Sequence, residues 1–472
     1  MKIVNRKNRY WAFFIMLAWV LSSCLAQRKF QDPELSLNTD ELYRFEHNED
    51  SASLAQLPLD EFFADSLLHH YILQGFEKNY DVRIALQSIL AAEAYRKQGK
   101  AAFYPTLSVG PNANWQQFSS NTAFGEGGFN MNQFDLTANV SWEADIWGKI
   151  SSQNKAFQAS YLQSISAKQA VMTQLVSQIS QAYFELLALD EQLEITRRTI
   201  ENREKSLKVI KALKASGINN TTEVAVKQTA AQLYDAQEIE SDLTGRIQLA
   251  ENRLSILLGQ APQKIQRGKL SQQSFSNDLT TGVPLAMISN RPDLKAAEQG
   301  LIQAFQLTNK ARAEMYPSLT LTAGLGLMSN DISKVLLSNS FYHNLMAGLS
   351  QPIFNGRQLK TAHEVAKTKE EEALLNFEKS ILVASQEVND AMVNYETAGD
   401  RIESKMKSYE AYRIATKQSE RLLENGMINY LEVLTAKENE LSTELTLVDL
   451  RREQLASVVN LYVALGGGWS ND

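Results

Sequence analysis

The chain has 472 residues and a formal net charge of −7, and 44% of its residues are hydrophobic. Only 22 glycines and 9 prolines interrupt long stretches rich in Ala, Gln, Glu, Lys and Leu, a composition typical of extended helices. The sequence therefore predicts a mostly helical protein, and its acidic balance argues against nucleic acid as a partner.

The N-terminus carries an export signal. Four basic residues within positions 2–9 precede an apolar run over 11–21, which leads into Leu21-Ser22-Ser23-Cys24. This order of regions is that of a cleaved secretory signal. Cys24 is the only cysteine, so an intrachain disulfide is excluded. Removal of residues 1–23 takes away four basic groups and no acid, and the formal charge changes from −7 to −11.

The segment around Cys24 resembles a bacterial lipoprotein signal, whose processing enzyme attaches lipid to a cysteine that follows small residues. Ser23 departs from the Gly or Ala that is more usual there. The alternative is cleavage by the general signal peptidase, with Cys24 incidental. Leu25 follows the cysteine, and at that position the resemblance implies sorting to the outer membrane.

The rest of the chain contains an internal repeat. Asp81 and Tyr104 recur as Asp293 and Tyr316, each 212 residues later and inside a similar motif. Three further markers keep the same order in both halves: a glycine before a long helical pattern, a glycine inside it, and a closing Leu-Gly pair. These markers are Gly148 and Gly356, Gly217 and Gly426, and Leu258-Gly259 and Leu465-Gly466.

The repeat predicts the domain organisation. Residues 1–23 form the signal peptide and 24–60 a lipid-anchored N-terminal segment. The first repeat is expected at 61–270 and the second at 271–472. Each repeat holds a helix, a β-hairpin and a long coiled-coil hairpin, and a C-terminal tail follows the second one.

Long helices are predicted between the markers. The apolar positions from Val171 to Ile200 step by 4 and 3, and those from Leu374 to Tyr395 step by 3 and 4. This is the pattern of helices that pack side by side along their length. No proline interrupts 148–217, so a helix there could reach roughly 100 Å, and its partner is expected to return over 221–258. Taken alone, the pattern would favour a spectrin-like coiled coil.

Four shorter segments alternate apolar and polar residues with a period of two. They are 106–116, 134–143, 319–327 and the weaker 345–349. Strands of ~10 residues with one apolar and one polar face fit a transmembrane barrel, and Trp115 and Trp142 suit an interfacial belt. A soluble sandwich shows the same period, but it would need more strands nearby, and helix flanks each of these pairs.

Four strands cannot close a barrel. An open sheet edge in lipid leaves backbone groups unpaired at a cost of several kcal/mol each. The chain is therefore expected to oligomerise in order to complete its wall. The connecting loops at 118–133 and 328–341 are rich in Gly, Ser and Asn, and we expect them to face the outside of the cell.

Several motifs occur together over nearly the whole mature chain. They are Tyr104-Pro105-Thr106-Leu107, Tyr316-Pro317-Ser318-Leu319, Ser141 to Lys149, Gln351 to Gly356, Asn290 to Leu294, and Leu465 to Trp469. This set resembles the outer-membrane factor family, in the lipoprotein branch typified by OprM, with TolC more distant. The resemblance implies a mostly α fold with a small transmembrane β part. It also implies a homotrimer with a 12-stranded barrel and a helical tunnel in the periplasm.

The same resemblance implies a passive exit duct in the outer membrane. Such a duct receives substrate from a periplasmic adaptor and an inner-membrane transporter, here expected to be of the RND type. A type I secretion duct and a lipid-anchored periplasmic coiled-coil or adhesion protein are the alternatives. The five histidines are scattered, and no nucleophile, phosphate-loop or metal motif is present. Neither an enzyme activity nor a cofactor is therefore predicted.

In that family, acidic side chains ring the narrow end of the tunnel. Residue matching places Glu432 at such a ring position and Glu223 at the equivalent position of the first repeat. Thr435 stands where TolC-like members have a second acid, so a single main ring is expected. The alternative is that both acids simply stabilise helix starts. Gly217 and Gly426 mark the hairpin tips that would meet the adaptor, and their alternative role is helix C-capping.

Overall fold

The computed structural model describes most of the chain. The described residues are 28–31, 42, 44, 54–119, 121, 130–216, 222–275 and 290–469. The signal segment, Cys24 and Gly217 lie outside them. The chain divides into two compact units of three segments each. The first unit comprises Met1–Glu34, Ile89–Ser164 and Ala297–Phe377, and the second comprises Leu35–Ser88, Ile165–Ala296 and Glu378–Asp472.

The first unit contains an antiparallel four-stranded sheet, which confirms the four predicted strands. Its strands are β1 Thr106–Gln117, β2 Asn130–Ala144, β3 Ser318–Ser329 and β4 Phe341–Ser350, in the order β1-β2-β3-β4. The central pair β2–β3 joins the two halves of the sequence, since Val140 lies opposite both Leu107 and Ala323. The outer strands β1 and β4 leave two edges.

The two faces of this sheet differ in chemistry. Leu107, Val140, Ala323 and Leu345 form one row across all four strands. Leu107 is 68% exposed and Leu345 is 80% exposed. A soluble sandwich would bury this face against a second sheet. The face is instead exposed, so the sandwich alternative is wrong.

The opposite face of the sheet is polar. Asn112 Nδ2 on β1 donates a hydrogen bond of 2.9 Å to Asp135 Oδ1 on β2. Asn139 and Thr137 lie on the same face of β2, with a hydrogen bond of 3.5 Å between Asn139 Nδ2 and Thr137 Oγ1. A sheet with one polar face and one exposed apolar face suits a wall between water and lipid.

The helices repeat in length between the two halves. They are α1 Leu59–Phe62, α2 Ser66–Lys78, α3 Tyr80–Ala101, α4 Lys149–Ala215, α5 Glu223–Leu257, α6 Pro292–Ala313, α7 Gln358–Glu424 and α8 Tyr430–Ala464. Both α3 and α6 have 22 residues, both α4 and α7 have 67, and both α5 and α8 have 35. The duplication is therefore confirmed. None of the helices in the described part combines the length and apolarity needed to cross a membrane.

Two helical hairpins, α4–α5 and α7–α8, make up much of the second unit. Ion pairs join the partners along their length: Arg197 Nε lies 2.8 Å from Glu240 Oε1, and Lys437 Nζ lies 2.7 Å from Glu420 Oε1. The predicted apolar pattern of α7 is confirmed, with Ile381 and Val388 fully buried. The buried surface of α4 is wider than predicted, because a second face that includes Tyr183 is also buried.

A glycine follows the second helix of each hairpin, and the same two constraints require it in both halves: a positive φ and a close backbone contact. Gly259 has φ +68° and Gly466 has φ +97°. A Cβ atom on Gly259 would lie 2.4 Å from the Lys78 carbonyl oxygen, and one on Gly466 would lie 2.8 Å from the Asn290 carbonyl carbon. Only glycine combines this backbone conformation with so close a contact.

A polar side chain completes each of these junctions. Asn79 Nδ2 donates a hydrogen bond of 2.9 Å to the Leu257 carbonyl oxygen at the end of α5. Arg291 Nη1 donates one of 2.9 Å to the Ala464 carbonyl oxygen at the end of α8. Asn79, just before α3, therefore fastens the start of that helix to the end of α5. Arg291, just before α6, fastens the start of that helix to the end of α8.

Contacts at the start of α4 explain the motif from Ser141 to Lys149. Asp145 accepts hydrogen bonds of 2.9 Å from Ile150 N and 2.8 Å from Ser151 N, and so caps the helix. Trp147 Nε1 donates one of 2.7 Å to the Pro317 carbonyl oxygen. These contacts fasten the end of the sheet to the helix within the first unit.

Both predicted loop ranges differ from the structure. β2 begins at Asn130, four residues before the predicted start, and pairs Asn130 with Gln117. Alternating apolar residues are few here, so the pattern did not reveal the strand. β3 continues to Ser329 and β4 already begins at Phe341, so the second loop is shorter than predicted; it contains two 3₁₀ turns, Ile332–Lys334 and Ser338–Ser340.

Candidate functional site

The candidate site consists of the tips of the two helical hairpins, both in the second unit. The first tip joins α4 to α5, and its residues 217–221 lie outside the described part of the chain. The second joins α7 to α8 through residues 425–429, which are described. The two tips occupy equivalent positions in the repeat, so their differences are informative.

Gly426 closes the second tip. It has φ +71°, its N–H donates to the Leu423 carbonyl oxygen, and the N–H of Met427 donates to that of Leu422, both at 2.9 Å. These two bonds form a Schellman motif, in which a left-handed glycine satisfies the last carbonyl groups of a helix. The alternative role of Gly426, helix C-capping, is therefore confirmed, and its contact with an adaptor stays a prediction.

Glu432 lies in the first turn of α8. Asn429 caps this helix, since its Oδ1 accepts a hydrogen bond of 3.3 Å from the Glu432 backbone N–H. The Glu432 side chain is exposed, and no ion pair joins it to any residue in the described part of the chain. Thr435, one turn later, donates its hydroxyl to the Leu431 carbonyl oxygen at 3.0 Å. Glu432 therefore presents an uncompensated negative charge.

Glu223 is the first residue of α5, after the capping residue Thr222. Lys214, at the end of α4, donates a hydrogen bond to the Glu223 carboxylate, and Lys227 Nζ lies 3.7 Å from it. The hydrogen bond and charge of Lys214, with a smaller contribution from Lys227, hold the pKa of Glu223 below its usual value. This carboxylate is compensated, in contrast to Glu432.

Sequence reasoning found both acids but missed the two lysines. Glu223 and Lys227 are four residues apart, a spacing that places them on one face of a helix. That signal was available in the sequence. Lys214 belongs to the preceding helix across the turn, and its position depends on how the two helices pack. The sequence alone could not give that contact.

Within the described part of the chain, no group of three or more His, Cys, Asp or Glu side chains could hold a metal ion. The site offers a carboxylate, helix N-termini and tight turns. It can attract or repel charge and contact another protein.

A largely helical chain whose small sheet exposes its apolar face fits the class of outer-membrane channel subunits. The profile described as "Outer membrane efflux protein" matches residues 74–260 and 283–467. The chain belongs to this family.

Known proteins agree with this assignment. The chain is 28% identical over 409 residues to the cation efflux system protein CusC of Escherichia coli O6:H1, covering 86% of this chain and 87% of CusC. It is 28% identical over 418 residues to the probable outer membrane lipoprotein SilC of Salmonella typhimurium, with coverage of 86% and 87%. A crystal structure of a membrane protein from Pseudomonas aeruginosa superposes with a TM-score of 0.86 at 24% identity, covering 94% of this chain and 100% of that one.

Family membership gives the coarse function. Proteins of this family are passive channels of the outer membrane and not enzymes. They form trimers and work with periplasmic adaptors and inner-membrane transporters in efflux systems. The predicted exit duct is therefore confirmed at this level.

Proposed function

We propose that this chain forms the homotrimeric outer-membrane duct of an RND-type tripartite efflux system, with one ring of Glu432 carboxylates at its periplasmic end. The exposed apolar face of the four-stranded sheet carries the proposal. In water, a contiguous apolar surface of this kind would be unfavourable. In lipid it is stable, provided that the sheet edges are paired.

The open edges support the trimer. All strand pairs are antiparallel, so β1 and β4 run in opposite directions. β4 of one chain therefore has the direction needed to pair antiparallel with β1 of the next. Three chains of four strands give the 12-stranded barrel, and closure removes every edge. The polar face with Asn112 and Asp135 then lines a water-filled bore.

The N-terminal segment supports lipid attachment at Cys24. SilC is named a lipoprotein. Arg28, four residues after the cysteine, forms two backbone hydrogen bonds with the Asn309 side chain. Asn309 Oδ1 accepts from Arg28 N at 3.3 Å, and Asn309 Nδ2 donates to Arg28 O at 3.0 Å. Arg28 Nη2 also lies 2.7 Å from Glu370 Oε2. Arg28 lies four residues after Cys24 in the sequence and belongs to the first unit, which contains the sheet.

The charge difference between the two hairpin tips supports a single carboxylate ring, formed by Glu432, at the periplasmic end of the duct. Three Glu432 carboxylates around an axis would attract cations and disfavour anions. Glu223 would add little because Lys214 and Lys227 compensate its charge. Gly217 and Gly426 mark the tips that would contact the adaptor. The assignment of the RND type depends on the OprM-like motifs, and the repeat boundaries at 61–270 and 271–472 belong to the same proposal.

The transported substrate is not determined by these features. CusC is named a cation efflux protein, and a carboxylate ring would favour cations. We propose that the transporter selects the cargo, because a wide duct provides few contacts that discriminate between solutes.

The experiment is to purify the full chain in detergent, determine its mass by native mass spectrometry, and record currents in planar bilayers. We expect an acylated trimer that forms water-filled channels. The Cys24→Ser variant serves as the control for the lipid mass. A water-soluble monomer without conductance would contradict the proposal and favour the lipid-anchored coiled-coil alternative.

A further inference from the structure

A cavity of about 790 Å³ lies between α4, α7 and α8 in the second unit. The channel function described above does not use it. Six basic side chains line it: Arg198, Arg203 and Lys205 from α4, Arg413 and Lys417 from α7, and Lys437 from α8. Such a concentration of positive charge in a concave site raises the question of what compensates it.

Four of the six basic side chains have carboxylate partners. Arg198 pairs with Glu444 at 2.6 Å, Arg203 with Glu438 at 2.7 Å, Lys205 with Glu201 at 2.6 Å, and Lys437 with Glu420 at 2.7 Å. Within the described part of the chain, Arg413 and Lys417 have none. They are four residues apart, so they lie on one face of α7. Against these two cations stands one unpaired lining carboxylate, Glu440.

Two buried polar groups of the lining also lack partners in the described structure. Thr416 is 8% exposed and its Oγ makes no hydrogen bond, and Arg203 is 4% exposed with an unbonded Nε. A buried polar group without a partner is costly. Both groups can donate a hydrogen bond, and Arg203 can only donate. The cavity therefore has unused donors together with unpaired positive charge.

We propose that this cavity binds a small oxyanion of the phosphate or sulfate type. Its oxygens would accept from Thr416 Oγ and Arg203 Nε, while Arg413 and Lys417 would supply charge. A water molecule could accept from the donors, but it would leave the excess positive charge of Arg413 and Lys417 over Glu440 in place. A metal cation would add to the positive charge. Bonds to charged groups of this kind are the strong ones in proteins.

The bound anion would join the two hairpins, because Arg203 belongs to α4 and Thr416 belongs to α7. Ion binding would then stabilise the packing of the first hairpin against the second. This site is independent of the proposed carboxylate ring, so the failure of one leaves the other standing.

The test uses the full chain in detergent with inorganic phosphate as the probe. Isothermal titration and thermal unfolding are measured in phosphate, in sulfate, and in chloride of equal ionic strength. We expect saturable binding and a higher unfolding midpoint with either oxyanion and not with chloride. Arg413→Gln and Lys417→Gln should each weaken phosphate binding about tenfold or more, since each removes a bond to a charged group.

Two further variants separate the site from a general charge effect. Thr416→Val keeps the shape of the side chain and removes the donor, so it should also weaken binding. Arg421→Gln removes a charge from an exposed position of α7 outside the cavity lining, and its binding should equal that of the unaltered chain. Native mass spectrometry then distinguishes free phosphate from a phospholipid headgroup as the bound source.

The absence of saturable phosphate or sulfate binding to the unaltered chain would overturn the proposal. An equal loss in Arg421→Gln and Arg413→Gln would do the same, because it would show only that surface charge attracts anions. Direct titration of the unaltered chain requires no variant to fold.

Discussion

The two hairpin tips occupy the same place in the repeat but differ in charge. At the first, Lys214 and Lys227 compensate Glu223. At the second, Glu432 has no such partner among the described residues. Duplication has thus preserved the helix lengths and the acid in the first turn of the returning helix, while the surroundings of that acid have changed. Equivalent positions in a repeat do not carry equivalent electrostatics, and the tips should respond differently to substitution.

The largest expected effect tests this asymmetry directly. Glu432→Gln should weaken block of the channel by a trivalent cation about tenfold or more, which corresponds to about 1.4 kcal/mol, because it removes three converging charges. Glu223→Gln should change the block less than about twofold, since this charge is already compensated. Single-channel recordings in planar bilayers with a titration of the cation measure both. Equal effects of the two variants would contradict the proposed difference in charge between the two tips.

The second prediction concerns the turn that positions Glu432. Gly426→Ala should destabilise the protein by about 1 kcal/mol, because a Cβ atom is strained at φ +71°. Gly245 is the control: it lies inside α5 with open space where a Cβ would be added. There, alanine should stabilise by about 0.5–1 kcal/mol. Thermal unfolding followed by circular dichroism gives both values. A stabilising effect at Gly426 would show that the tip is closed in another way.

The third prediction makes the first tip resemble the second. Removal of both partners of Glu223, in Lys214→Gln with Lys227→Gln, should expose its charge and tighten cation block by about threefold. The control is Lys211→Gln, an exposed lysine of α4 near the same tip with no ion pair in the described structure. Block that is unchanged in the double variant would place Glu223 away from the bore.

The smallest expected effect is on stability at low pH. The pKa of Glu223 is lowered by Lys214, so the pair stabilises the folded chain above the unfolded-state pKa. That contribution is lost as the pH falls through the folded-state pKa. The unfolding midpoint of Glu223→Gln should therefore fall less with acid than that of the unaltered chain. Unfolding curves recorded from pH 7 to pH 3 measure the difference, and parallel curves would contradict it.

Local patterns in the sequence predicted much of the fold. The alternation around Leu107 and Leu321 gave the strands, and the spacing from Asp81 to Asp293 gave the duplication. Markers such as Gly148 and Gly259 gave the helix ends, because a left-handed turn or a close backbone contact requires glycine at a fixed position. These features depend on neighbouring residues along the chain.

Features that depend on helix packing were not predicted. Lys214 reaches Glu223 across the turn between α4 and α5. Arg203 and Thr416 meet at one cavity only because α4 and α7 pack with particular rotations about their axes. A heptad pattern identifies the packed face but not the polar contacts beside it. For the same reason, the second buried face of α4 at Tyr183 was missed.

The central claim is that the sheet separates lipid from water in a trimer. Cysteine substitutions at Leu107, Ser108, Val109 and Gly110, in the reconstituted trimer, test it most directly, because Cys24 is the only native cysteine and acylation would block its thiol. The account predicts strict alternation: Ser108 and Gly110 react with a water-soluble maleimide, and labels at Leu107 and Val109 are quenched by a lipid-soluble quencher. Uniform reactivity along the strand, or a monomer with all four positions in water, would contradict it.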